Sequence, residues 1–145
     1  MITVPSLAEF SRRIFYLFKS KSVTFSTYQG AIRGYDPVAY FADGRAIKGA
    51  AKLAHDYQEA IWYFSSEKNR IKFQNEPEKY VPQFGGYCAF GMSQGYQAST
   101  QPDAWTLLDN KLYLNYSKEI RTVWNKNQIE HIERANKNWL KLKTS

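Results

Sequence analysis

The stretch WTLLDNKLYLNY, residues 105–116, sets two short apolar runs on either side of Asp109-Asn110. Asp and Asn tolerate the left-handed backbone of a two-residue turn, so Trp105 to Leu108 and Leu112 to Tyr116 are expected to be strands of a tight antiparallel hairpin. AKLAHDYQEAIWYF repeats the pattern. It predicts strands at Leu53 to Tyr57 and Ala60 to Phe64, turning at Gln58-Glu59. Hairpins this short need helices laid over them to bury their apolar faces.

The intervening segments supply those helices. Ser65 or Ser66 can accept the free amide protons of a first turn, which starts a helix through EKNRIKFQN. Asn75-Glu76-Pro77 ends it, and Pro77 suits the first position of a second short helix, PEKYVPQFG, that stops near Gly85-Gly86. The paired glycines permit a close backbone approach just before Tyr87 and Cys88. Ser117 is expected to cap a helix in which Ile120, Val123 and Trp124 share a face. The helical pattern then continues through Ile129, Ile132, Ala135 and Trp139 after a break near Asn127. Upstream, residues 22–41 read as a short strand, a turn, and a strand or extended corner. The fold class is α+β, small antiparallel β-hairpins covered by short helices.

With 145 residues, the chain is long enough for one domain with a real core, and no Gly-, Ser- or Pro-rich linker divides it. Residues 1–30 read as an amphipathic segment and a lead-in strand, and residues 31–145 as the main domain with a C-terminal helical extension. Within the first part, residues 6–19 are expected to form a short basic helix with Leu7, Phe10, Ile14 and Leu17 on one face. IFYLF is only five apolar residues before Lys19, too few for a secretory core of about 7–15, so no signal peptide is read and the compartment stays open. No apolar run approaches the roughly 20 residues of a membrane span.

The net charge of +7 suits an anionic partner, with an acidic protein the preferred candidate. The basic residues are scattered instead of lining an aromatic-studded groove, which argues against specific nucleic-acid binding.

Few residues can carry chemistry. The single cysteine, Cys88, forms no internal disulfide, and it sits in an apolar run as a small buried hydrophobe would. His131, between Glu130 and Glu133, reads as solvated. His55 lies beside Asp56, where a carboxylate can fix its tautomer. There is no Cys-x-x-Cys, no phosphate-cradling glycine loop and no pair of carboxylates at glycosidase spacing, so nucleotide and glycosidase chemistry have no foothold; the chain leans non-enzymatic, with a thiol-dependent enzyme open only if Cys88 is activated. Cys88 and His55, with Met92 or Asp36 in support, form a minimal donor set for a soft ion such as copper(I), or for zinc. GYDPVAYF, residues 34–41, bends at Asp36-Pro37. The expected corner packs Tyr35, Tyr40 and Phe41 against the hairpin of His55 and Trp62, the GGYC loop closing over it. Tyr35, Asp36 and Tyr87, together with His55 and Cys88, then line a polar-aromatic pocket for a metal ion or small ligand.

GYDPVAYF, WYFSSEKNRIKFQNEPEKYVPQFGGYCAFG and WTLLDNKLYLNYSKEIRTVW together resemble the YHS domain family, specifically its stand-alone bacterial branch, over roughly Ala31 to Leu142. The resemblance implies a treble-clef-like core followed by C-terminal helices, a metal-associated binding module, and relatives that often look exported. In the metal-associated members one cysteine follows the Asp-Pro-Val and another follows the aromatic-Phe pair. Here those positions are Ala39 and Ser65, so the usual thiolates are absent. The alternative reading is a structural or protein-interaction domain without a metal.

Overall fold

The computed structural model describes residues 23–144, and the amphipathic segment expected over residues 6–19 lies outside them. Strand β1 (Ser26–Thr27) pairs with β2 (Gly30–Ala31), and a single 3-10 turn (Ile32–Gly34) leads into the corner. The strand or extended corner expected at Tyr35 to Phe41 is instead an isolated bridge, Tyr35 to Lys48, followed by a short helix, α1 (Ala39–Ala42). The cause is Asp36. Its Oδ1 accepts from the amides of Val38 at 2.8 Å and Ala39 at 3.2 Å, which turns the chain into helical geometry.

Strands β3 (Ala50–Tyr57) and β4 (Ala60–Phe64) form the central hairpin. Gln58 and Glu59 turn it with φ of 50° and 59°, the left-handed pair that matches the twist of the flanking strands. Of the two serines that follow, Ser66 is the cap. Its side chain accepts from the Asn69 amide at 3.1 Å at the head of α2 (Glu67–Asn75). Pro77 opens α3 (Pro77–Tyr80), but the helix expected to run on to Gly85 stops early. Pro82 lacks an amide proton and pushes Val81 into extended backbone, so a separate 3-10 turn (Gln83–Gly86) carries the glycines.

After α4 (Ala89–Ser93), β5 (Trp105–Leu108) and β6 (Lys111–Leu114) pair around Asp109 and Asn110, whose φ values are 52° and 61°. Ser117 caps α5 (Lys118–Asn125), and α6 (Gln128–Thr144) follows a break at Lys126-Asn127. On α5 the expected apolar face narrows to Trp124. Val123 is exposed, as is Ile129 on α6, whereas Ala135 is buried.

The described residues thus form an α+β fold of three two-stranded antiparallel sheets and short helices, ending in a longer one. Two apolar clusters hold it. One gathers Ile32, Val38, Tyr40, Trp62, Phe64, Phe73, Tyr80, Leu112 and Leu114 around the central hairpin. The other joins Phe84, Ala89, Met92, Tyr113, Trp124 and Ala135, where α4 packs under the C-terminal helices. Among the described residues no helix is long and apolar enough to cross a membrane.

Candidate functional site

Asp36 is fully buried, with 0% of its surface exposed. While Oδ1 holds the start of α1, Oδ2 accepts from the Ser65 amide (2.8 Å), the Ser65 hydroxyl (2.8 Å) and Asn69 Nδ2 (2.9 Å). Five donors satisfy a carboxylate that burial would otherwise penalise heavily. This hub ties the corner to the end of β4 and the first turn of α2.

The other corner residues divide between the two clusters. Tyr35 is half-buried. Tyr40 donates its hydroxyl to the Pro102 carbonyl at 2.8 Å, and burial pushes its phenol far above the usual tyrosine range. His55, opposite Trp62 in the β3–β4 register, lies edge-on to Phe73 with centroids 6.1 Å apart. Its Nδ1 is 3.4 Å from Gln74 Nε2, while Asp56 is exposed. Tyr87 belongs with the second cluster, between Phe25 (5.7 Å) and Trp139 (6.4 Å), and burial raises its phenol. His131, expected to be solvated, is half-buried. Its ring stands edge-on to Phe90 at 5.2 Å and its Nδ1 is 3.4 Å from Ser93 Oγ.

Cys88 is 1% exposed and precedes α4. Its Sγ accepts from the amides of Tyr116 at 3.2 Å and Gly91 at 3.3 Å, and donates to Asn115 Oδ1 at 3.4 Å. Burial pushes the thiol above its ordinary value, against the opposing pull of the Gly91, Tyr116 and Phe90 amide protons. Asn115, fully buried, also accepts from the Phe90 amide at 3.0 Å, so one side chain fixes both the thiol and the start of α4.

The sulfur borders a mainly apolar pocket of about 250 Å3 whose walls are Phe90, Gly91, Tyr96, Ala98, Tyr116 and Ile120. Tyr96 and Tyr116 are 56% and 54% exposed, large rings left half in solvent at its edge. Of the residues singled out from sequence, the pocket contains Cys88 alone. Tyr96, Ala98, Tyr116 and Ile120 come from three separate segments that only the folded chain joins. Among the described residues no group of three or more His, Cys, Asp or Glu side chains gathers where it could hold a metal ion.

Residues 38–84 match the family model described as the YHS domain. This segment of the chain is similar to the YHS domain. The matched segment runs from α1 through the start of the Gln83–Gly86 turn and contains Ala39, His55, Ser65 and Asn69. Tyr35 and Asp36 precede it, and Tyr87 and Cys88 follow it. Every residue lining the Cys88 pocket therefore lies on the C-terminal side of the YHS segment. No curated protein and no solved structure matches the chain.

Within the YHS segment, the two positions where the resemblance leads one to expect thiolates face one carboxylate. Ala39 donates its amide to Asp36 Oδ1, and Ser65 donates amide and hydroxyl to Oδ2.

Proposed function

We propose that this YHS-domain chain is a non-enzymatic binding module whose ligand, a small and mainly apolar molecule, occupies the pocket of Cys88. The observation that carries the reading is the pocket itself: a buried sulfur, held by three hydrogen bonds, beside aromatic and aliphatic walls with two half-exposed tyrosines. Binding sites for small molecules are typically concave and apolar, with few fixed polar groups. At about 250 Å3 the pocket falls just below the range of about 300–1,000 Å3 typical of drug-sized ligands, which suits a one- or two-ring compound.

A catalytic thiol wants an adjacent base and a lowered pKa. The partners of Cys88 are an amide side chain and backbone N–H groups, and burial raises its pKa. The sulfur is thus better suited to packing against a ligand than to attacking one.

Calorimetric titration with indole tests the reading. Wild type should bind saturably, and Ala98→Leu, which fills the pocket, should abolish binding. Parallel titration with copper(I) and zinc covers the metal reading of Cys88 and His55. Stoichiometric metal lost in both Cys88→Ser and His55→Ala, with no response to indole, would replace the apolar ligand by a metal ion.

A further inference from the structure

Gly91 sits in the middle of α4, and its φ is not positive, so the backbone there would accept any residue. Glycine is a poorer helix former than alanine. The reason for a glycine at this position is therefore space. A methyl group added at Gly91 would lie 3.3 Å from Ala98 Cβ, 3.4 Å from Cys88 Cβ and 3.4 Å from Tyr96 Cε2. All three neighbours belong to the wall of the Cys88 pocket.

Two of them are held by their backbones, because the Cys88 amide donates to the Ala98 carbonyl at 3.0 Å. Tyr96 is tied to Gly91 itself. Its amide donates to the Gly91 carbonyl at 3.1 Å, and the Cε2 edge of its ring is the third neighbour of the glycine. That ring is 56% exposed and meets no other aromatic ring among the described residues, whereas Phe90, on the same wall, stands edge-on to His131. A large ring fixed at the edge of a pocket without an aromatic partner is pre-organised for a ring brought by the ligand.

We infer that Tyr96 makes the Cys88 pocket specific for aromatic over saturated rings, and that Gly91 is the seat that positions it. The inference rests on the ligand reading of that pocket. Aromatic pairs gain energy beyond the area they bury, so a flat ring profits from Tyr96 in a way that a saturated ring of the same size does not. Tyr96 touches the ligand, and Gly91 acts only through Tyr96.

Calorimetric titration of the full chain with phenol and with cyclohexanol, which share a six-membered ring and a hydroxyl, tests the assignment. Wild type should bind phenol about fivefold more tightly, the worth of one aromatic pair. Tyr96→Leu, a change at an exposed position that keeps the fold, should bring the ratio to about one and leave the affinity for cyclohexanol within about twofold. Gly91→Ala, which pushes the ring outward, should lower the ratio in the same way. A merely structural role would weaken both compounds together and leave the ratio unmoved. Equal affinities in wild type, or a preference undiminished in Tyr96→Leu or Gly91→Ala, overturn the inference while the pocket remains a ligand site. Binding of neither compound overturns the ligand reading with it.

Discussion

The Ser65 hydroxyl donates to Asp36 Oδ2 at 2.8 Å, and the amide of the same residue reaches the same oxygen at 2.8 Å. Across the carboxylate, Ala39 bonds Oδ1. Positions that carry thiolates in the metal-associated YHS pattern are here cross-linked by hydrogen bonds through one buried acid. The corner around Asp36-Pro37 is thereby a structural joint, and the pocket beside Cys88 lies beyond the matched segment.

Removing the acid should be far worse than removing one donor. Asp36→Ala strands five donors in a dry site and should cost about 3–5 kcal/mol, whereas Ser65→Ala, losing one hydroxyl, should cost about 1 kcal/mol. Urea denaturation of both variants measures the difference. Similar small losses would contradict the hub.

Introducing thiolates at the two positions where the resemblance implies them should create a metal site. Ala39→Cys with Ser65→Cys places two soft donors around one point, a set that favours copper(I). Elemental analysis should find about one equivalent of copper in the double variant and little in either single one, since a lone thiolate makes a poor site. A metal-free double variant would show that the two side chains do not converge.

Local chemistry made much of the fold legible. Gln58-Glu59 and Asp109-Asn110 turn where their side chains suggest, Ser66 and Ser117 cap their helices, and Pro77 opens one. Each of these depends on neighbours within a few residues. Asp36 does not: its decisive partners, Ser65 and Asn69, lie 29 and 33 residues away, so its role as a joint carries no local signature. The helix at Ala39–Ala42 was hidden for a different reason: four residues show no period, and the Asp36 bonds that lead into it are those of a simple turn. Cys88 was a visible candidate, but beyond its neighbours Phe90 and Gly91 the walls that make it a pocket come from residues 96–120, outside any contiguous pattern.

Alkaline pH should destabilise the protein in two stages. The Cys88 thiol titrates normally near 9.0 and is raised in the folded chain, so its contribution is fully present below about pH 9 and is lost as pH rises through the folded value. Tyr40, Tyr57, Tyr87 and Tyr113 are raised from 10.0 with the same sign, Tyr57 to about 12 by its hydrogen bond to Glu78. Thermal melts should hold level from pH 7 to 8.5, then fall. Cys88→Ser should remove the earlier part of the decline and leave the tyrosine part. An identical pH profile in the variant would exclude the thiol.

Two glycines with similar backbone should respond differently to a methyl group. Gly44 and Gly85 have φ of 65° and 63°, but a Cβ at Gly44 meets nothing within 4 Å, whereas one at Gly85 would lie 1.9 Å from the Val23 carbonyl oxygen. Gly44→Ala should cost about 1 kcal/mol of left-handed strain. Gly85→Ala should cost several times as much, because the backbone beside the Cys88 loop must move. Equal losses in chemical denaturation would contradict that close approach.

The central claim, that the ligand enters beside Cys88, is tested most directly by amide chemical shifts of the labelled protein during titration with indole. The account predicts saturable shifts concentrated at Cys88, Gly91, Ala98, Tyr116 and Ile120, with His55 and Ser65 still. Shifts centred on the Asp36 corner, or none up to the solubility limit of indole, would contradict it.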